Sequence, residues 1–85
     1  MDTGDAELVA LAIAGDRRAF GALVERHQTA VRGLLMRLCR NGALADDLAQ
    51  EAFIKAYHKL ADYSGRGAFK AWLCRIAYTE FLMHA

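Results

Sequence analysis

The feature that most limits the fold is a long helical pattern of apolar residues between two stop signals. Asp16 is a good N-cap, and the sequence Arg-Asn-Gly at 40–42 is a natural helix end. Between them, apolar side chains and one histidine recur every three to four residues, as on one face of an α-helix. This stripe contains Phe20, Leu23, Val24, His27, Val31, Leu34, Leu35 and Leu38. At 1.5 Å per residue it predicts a rod of about 36 Å, which is long for so short a chain.

The remaining segments also predict helices, because the chain has no proline and no β-type alternation. A first helix is expected from a cap at Asp5 to about Ala14, with Gly15 as its stop. A third is expected over about 43–61. The glycine-rich residues 62–67 form a loop, and a fourth helix starts near Ala68 with Phe69, Trp72, Leu73, Ile76 and Ala77 facing inward. The sequence therefore predicts an all-α bundle of about four helices, one domain over 1–85 with a flexible end at about 1–4.

Composition excludes several functional classes. Cys39 and Cys74 form no metal-binding spacing with each other or with the three histidines. No nucleophile motif or phosphate loop is present, so no metal, cofactor or catalytic site is expected. His27 lies on the apolar stripe and is expected to be a hydrogen-bonded core residue. With no apolar run long enough to span a bilayer and no signal peptide, we expect a cytoplasmic protein with reduced thiols.

Charge is unevenly distributed although the net charge is only +1. Residues 17–40 contain six arginines and one acid, whereas 46–51 contain three acids and no base. Separate acidic and basic surfaces suggest two different partners, although solvated helix faces are the commoner explanation.

One stripe of the third helix is unusual for a water-facing surface. Its apolar residues (Ala45, Leu48, Ala49, Ala52, Phe53, Ala56 and Tyr57) follow the rhythm of a buried face. The opposite side carries Asp47, Gln50, Glu51 and Ile54 at i, i+3, i+4 and i+7. Either this is a solvated face with one exposed isoleucine, or it is a docking stripe with an apolar anchor and carboxylates for a partner's arginines.

The loop and the fourth helix combine aromatic and basic residues. Phe69 and Trp72 belong to the core by their period, whereas Tyr63, Arg66, Lys70, Arg75 and Tyr78 fall off that face. Cations that follow phosphates, beside aromatic faces that stack on bases, are typical of single-strand binding. A glycine-flanked loop before a helix is also suited to receive a base turned out of its stack.

Together these segments resemble the second region of bacterial RNA polymerase sigma factors of the extracytoplasmic-function type. The resemblance is carried by "DDLAQEAFIKAY", "YSGRGAF" and "FKAWLCRIA", and it extends from about Asp5 to Ala77. It implies that Asp47, Gln50, Glu51 and Ile54 dock on the clamp helices of the polymerase's largest subunit. It also implies that the protein recognises and melts the minus-ten promoter element by binding its non-template single strand. By position, Tyr63, Ser64 and Arg66 would line the pocket for a flipped base, and Lys70, Arg75, Tyr78 and Thr79 would follow the strand.

The end of the chain departs from the family pattern. It reads "YTEFLMHA", with Thr79 near the family's asparagine, Met83 near its aspartate, and no basic run. We also expect the family's fourth region, a helix-turn-helix, to be absent. The altered "YTEFLMHA" end and the modest net charge favour an alternative, a sigma-like decoy or adaptor that binds an anti-sigma factor without binding DNA. On either reading the protein binds rather than catalyses.

Overall fold

The described residues form four α-helices and one 3-10 turn. The computed structural model describes residues 4–63, 65 and 67–84. The helices are α1 (Asp5–Ile13), α2 (Arg17–Cys39), α3 (Gly42–His58) and α4 (Phe69–His84), with the 3-10 turn at Leu60–Asp62. No strand occurs within these ranges, and the predicted all-α bundle of four helices is confirmed.

Local signals set most helix ends. The Asp16 carboxylate accepts hydrogen bonds from the backbone N–H groups of Arg18 and Ala19, at 3.0 and 3.3 Å, as predicted for an N-cap. Asn41 caps α3 in the same way through the N–H of Leu44 at 3.0 Å. Gly15 has φ 108°, a left-handed conformation that glycine adopts without steric cost, so it ends α1 as expected.

Two predicted helix ends are wrong. Gly4, not Asp5, is the N-cap residue of α1, and the Asp5 side chain is used for contacts with α2 instead. The third helix ends at His58 rather than near Ala61, because the backbone leaves helical geometry at Lys59 and tightens into the 3-10 turn. That turn places Leu60 in the core, where it is 4% exposed.

The core lies around α2, which packs against each of the other three helices. The largest fully buried side chains are Leu23, Val31 and Leu35 of α2 and Leu73 of α4. The buried face of α3 consists of Leu48 and three alanines, Ala45, Ala52 and Ala56. Small residues on this face let α3 approach its neighbours closely. The opposite face of α3 is exposed to the solvent. No helix in the described ranges is long and apolar enough to cross a membrane.

Candidate interaction surfaces

The acidic stripe, defined as Asp47, Gln50, Glu51 and Ile54, lies on the solvent side of α3. All four residues are exposed, and the Ile54 side chain is 46% exposed. The buried residues Leu48 and Ala52 of the same helix face the core. The stripe is thus an uninterrupted surface with two carboxylates, an amide and an aliphatic side chain.

Beside this stripe, α2 and α3 enclose an apolar groove of about 700 Å³. Its lining includes Phe20 and Val24 from α2, and Phe53 and Tyr57 from α3. Ile54 and Gln50 line it as well, so the groove and the acidic stripe share an edge. Sequence reasoning missed the groove because it exists only where two helices separated in sequence come together.

Tyr57 corrects one detail of the predicted buried face. Its ring packs edge-on against Phe20 with centroids 5.0 Å apart, yet the residue is 42% exposed. It lies at the border of the packed face, on the wall of the open groove. The apolar spacing of α3 therefore predicts which residues lie opposite the acidic stripe. It does not predict that some of them, such as Tyr57, line a groove that is open to solvent.

The acidic and basic segments are not fully separate surfaces. Arg32 donates from Nε to Asp46 Oδ1 at 2.6 Å, which joins the arginine-rich α2 to the acidic turn of α3. Arg26 donates from Nη1 to Asp5 Oδ1 at 2.9 Å, which joins α2 to α1. Of the six arginines in residues 17–40, Arg26 and Arg32 thus pair with carboxylates of the same chain.

Tyr63 is held more firmly than the sequence suggested. Its hydroxyl donates to the carbonyl oxygen of Gly67 at 2.6 Å, so the two ends of the short loop are tied together. Its ring packs edge-on against Phe69, with centroids 5.5 Å apart, and tilted against Trp72 at 5.4 Å. Tyr63 is half-buried and belongs to an aromatic cluster. The predicted pocket residues Ser64 and Arg66 lie outside the described residues.

The outer face of α4 carries the other predicted nucleic-acid contacts. Lys70, Arg75, Tyr78 and Thr79 are all exposed, and Tyr78 is 46% exposed. Arg75, Tyr78 and Thr79 share one helix face at i, i+3 and i+4. The Thr79 hydroxyl donates to the carbonyl oxygen of Arg75 at 2.9 Å, and its remaining lone pair can still accept a hydrogen bond. The outer face of α4, defined as the exposed half of the helix, carries Arg75, Tyr78 and Thr79 together and Lys70 at its other edge, and it is therefore open to a ligand.

The last turn of α4 exposes apolar side chains. Phe81 is half-buried, whereas Leu82 and Met83 are 55% and 68% exposed. Glu80, which sequence reasoning missed, is buried at 9% exposure beside Lys55 of α3. A signal for it existed, since Phe69, Leu73 and Ala77 set a helical phase that continues onto Glu80.

Within the described ranges, no three histidine, cysteine, aspartate or glutamate side chains are grouped as a metal site. His27 is 7% exposed, and its Nε2 lies 2.8 Å from Asp5 Oδ2, as expected for a hydrogen-bonded core histidine. The surfaces on α3 and α4 present charged and apolar side chains to the solvent.

Comparisons with known proteins identify the family. The sigma-70 region 2 model matches residues 23–85, and the chain belongs to this family. It is similar to the RNA polymerase sigma-H factor of Pseudomonas aeruginosa, with 47% identity over 80 residues, 94% of this chain and 42% of that protein. It is also similar to the ECF RNA polymerase sigma-E factor of Escherichia coli K12, with 48% identity over 63 residues, 74% of this chain and 32% of that protein. The chain thus spans less than half the length of these curated relatives.

Solved structures extend the similarity to the whole fold. An engineered region 2 of sigmaE, determined by NMR in complex with GTAAAA, matches 99% of this chain and 90% of that one, with TM-score 0.90 and 37% identity. CnrH in complex with the cytosolic domain of CnrY matches 93% of this chain and 51% of that one, with TM-score 0.84 and 35% identity. The resemblance noted from the sequence motifs is therefore confirmed.

Proposed function

We propose that this chain is a promoter-recognition domain that docks on RNA polymerase core and binds the melted minus-ten element. The acidic stripe would dock on the clamp helices of the largest subunit. The loop and the outer face of α4 would hold the non-template single strand. The observation that carries this proposal is the close likeness of the whole fold to a sigmaE region 2 in complex with GTAAAA.

The docking half of the proposal rests on the chemistry of the acidic stripe. Asp47 and Glu51 are exposed carboxylates one helical turn apart, which suits arginine or lysine side chains of a partner helix. Ile54 supplies an apolar anchor, and the adjoining groove can receive an apolar side chain from the same partner. Charge would select the partner and its register, while the apolar contacts would supply most of the affinity.

The DNA half rests on the cations and the aromatic ring of α4. Lys70 and Arg75 are exposed and can neutralise phosphates, and Tyr78 presents a ring on which an unpaired base can stack. Ser64 and Arg66 are proposed partners of the flipped base on the family resemblance alone. Because such groups bind unpaired DNA better than duplex, binding itself favours strand opening without any covalent chemistry. The domain would act in the cytoplasm, as a binding protein and not an enzyme.

The docking half is tested by calorimetry with a clamp-helix fragment. Glu51→Arg reverses a charge in the centre of the acidic stripe and should abolish detectable binding, and Gln50→Ala should weaken it. Glu7→Arg is the matched control, since Glu7 is also exposed but lies on α1. If wild type does not bind the fragment, or if both charge reversals weaken binding equally, the assignment of the acidic stripe is wrong.

The DNA half is tested by fluorescence anisotropy with single-stranded and duplex forms of one minus-ten sequence. We expect the wild-type domain to prefer the single strand, and Tyr78→Ala to reduce that preference. Equal affinity for both forms would contradict a role in strand opening.

A second candidate function is a sigma-like decoy or adaptor that binds an anti-sigma factor and not DNA. CnrH, solved with the cytosolic domain of CnrY, supports a protein partner for this fold. The exposed Leu82 and Met83 offer such a partner an apolar contact. Tight binding of an anti-sigma domain with no gel shift of melted minus-ten DNA would favour this function over the first.

A further inference from the structure

Asp5 of α1 contacts the one buried histidine of the described residues. His27 of α2 is 7% exposed, and its Nε2 donates to Asp5 Oδ2 at 2.8 Å, because a carboxylate oxygen can only accept. The second oxygen of Asp5 accepts from Arg26 at 2.9 Å. One side chain at the start of α1 therefore fixes the orientation of an imidazole inside the bundle.

The imidazole is the first ring of a packed series that ends at the loop before α4. The His27 and Phe69 ring centroids are 5.7 Å apart with planes tilted by 51°. Phe69 is 3% exposed and contacts Tyr63 and Trp72, each with centroids 5.5 Å away. Tyr63 in turn donates its hydroxyl to the carbonyl oxygen of Gly67. Every step from the Asp5 carboxylate to the loop backbone is a direct contact.

We propose that Asp5 and His27 are positioning residues for nucleic-acid binding, which hold Tyr63 and its hydrogen bond to Gly67 in their binding conformation through Phe69. The inference rests on the DNA half of the proposed function and assigns it residues that touch no ligand. It also gives α1, which carries none of the predicted contacts, a part in recognition.

The physical reason is that the Asp5–His27 hydrogen bond fixes the orientation of the ring on which Phe69 packs, and either partner's loss removes it. If the Asp5 carboxylate is removed, His27 Nε2 must find water or rotate its ring. Phe69 packs on that ring and cannot keep its position when the ring turns, since close-packed side chains move together. Tyr63 then loses the surface against which its own ring is set, and the Tyr63–Gly67 hydrogen bond that ties the loop weakens.

Four variants separate this effect from the loss of charge. Asp5→Ala removes the acceptor, and His27→Phe keeps a ring but removes the donor. Asp5→Asn keeps an oxygen that can accept from His27 and should behave nearly as wild type. Arg26→Ala is the matched control, because it removes the other partner of Asp5, an exposed ion pair that contributes little, and leaves the contact with His27.

Three measurements are made on each folded variant. Anisotropy with a single-stranded oligonucleotide containing GTAAAA reports nucleic-acid affinity, and calorimetry with a clamp-helix fragment reports docking. The indole N–H resonance of Trp72, the single tryptophan of the chain, reports the packing around Tyr63 by NMR. A merely structural loss would weaken both binding activities together, whereas positioning changes the oligonucleotide affinity alone.

We expect Asp5→Ala and His27→Phe to weaken oligonucleotide binding about fivefold, the factor that matches one hydrogen bond of ordinary net strength. Docking should be unchanged and the Trp72 resonance should shift. Asp5→Asn and Arg26→Ala should stay within about twofold of wild type, the range of a surface change. If Asp5→Ala does not fold, His27→Phe decides the question by the same readouts.

Three results would overturn the inference. The first is wild-type oligonucleotide affinity in a folded Asp5→Ala variant, and the second is a Trp72 resonance that does not move. The third is an equal loss of docking and oligonucleotide affinity, which marks a merely structural effect. If the wild-type domain itself fails to bind the oligonucleotide, the DNA half of the proposed function is wrong. The positioning of Tyr63 is then decided by the Trp72 resonance alone, supported if Asp5→Ala shifts it and rejected if not.

Discussion

Lys55 Nζ lies 2.5 Å from Glu80 Oε1, so an ion pair joins α3 to α4 at the border of the core. The Glu80 side chain is 11% exposed and that of Lys55 is 39% exposed. Lys55 follows Ile54 of the acidic stripe, and Glu80 follows Thr79 on α4. The pair therefore connects the helices that carry the two proposed binding surfaces.

Removing only the cation of this pair should destabilise the fold. Lys55→Met leaves a buried carboxylate without its counter-ion, and we expect a loss of about 1–3 kcal/mol in the free energy of unfolding, measured by urea denaturation. Glu80→Gln should cost less, because it leaves behind a lysine whose side chain is 39% exposed and can be solvated by water. The double variant Lys55→Met with Glu80→Met should regain most of the loss, since no charge remains buried. Equal stability of wild type and Lys55→Met would show that the pair contributes nothing.

Truncating the apolar member of the acidic stripe should weaken docking without unfolding the domain. Ile54→Ala is expected to reduce affinity for a clamp-helix fragment by about five- to thirtyfold, the effect of losing 1–2 kcal/mol at an anchor residue. Its stability should change by less than about 0.5 kcal/mol, because Ile54 is exposed in the free domain. Leu11→Ala on α1 is the matched control, since Leu11 is 44% exposed and Ile54 is 46% exposed. An equal loss of affinity in both variants would mean that Ile54 is not a specific contact.

Phosphate contacts on α4 should be visible in the salt dependence of binding. Arg75→Gln and Lys70→Gln should each make the negative slope of log K for binding against log salt shallower by about 0.7 for a single strand. Affinity should fall for every sequence tested, because phosphates carry no sequence information. Arg17→Gln removes an exposed cation from the first turn of α2 and should leave the slope unchanged. A slope that does not respond to the α4 substitutions would place the strand elsewhere.

Features that depend on neighbours along the chain could be predicted from sequence. The spacing of Leu48, Ala52 and Ala56 predicts the buried side of α3. The residues on the opposite side of the same helix are then predicted to be exposed, and they form the acidic stripe. The cap at Asp16 is equally local, because its carboxylate bonds to N–H groups two and three residues away. Motif spacing alone was sufficient to suggest the sigma family.

Features that depend on contacts between distant segments could not be predicted in this way. Asp5 reads locally as an N-cap, but its partners Arg26 and His27 lie on another helix. Tyr63 falls off the apolar period of α4, yet packing on Phe69 and Trp72 draws it into the aromatic cluster. The α2–α3 groove likewise appears only when two helix faces meet. In each case the apolar spacing predicts the buried face of a single helix, whereas the contacts and the burial of these residues depend on which helices pack together.

At the end of α2, substitution by glycine should have opposite effects on stability at two nearby positions, Arg40 and Arg37. Arg40 has φ 53° and ψ 33°, a left-handed conformation in which its Cβ is crowded, and its N–H bonds to the carbonyl oxygen of Met36 at 2.9 Å. Arg40→Gly removes that crowding and should raise the free energy of unfolding by about 0.5–1 kcal/mol, partly offset by the freedom of glycine in the unfolded chain. For a domain of this size the melting temperature should rise by about 2–8 °C.

Arg37→Gly is the matched control for this prediction. Arg37 is also exposed but lies within the last turn of α2, where glycine should lower stability by about 1 kcal/mol. Thermal unfolding of both variants, followed by circular dichroism, gives the two signs in one experiment. If Arg40→Gly and Arg37→Gly destabilise alike, then Arg40 carries no left-handed strain, and the end of α2 is set by Asn41 and the start of α3 instead.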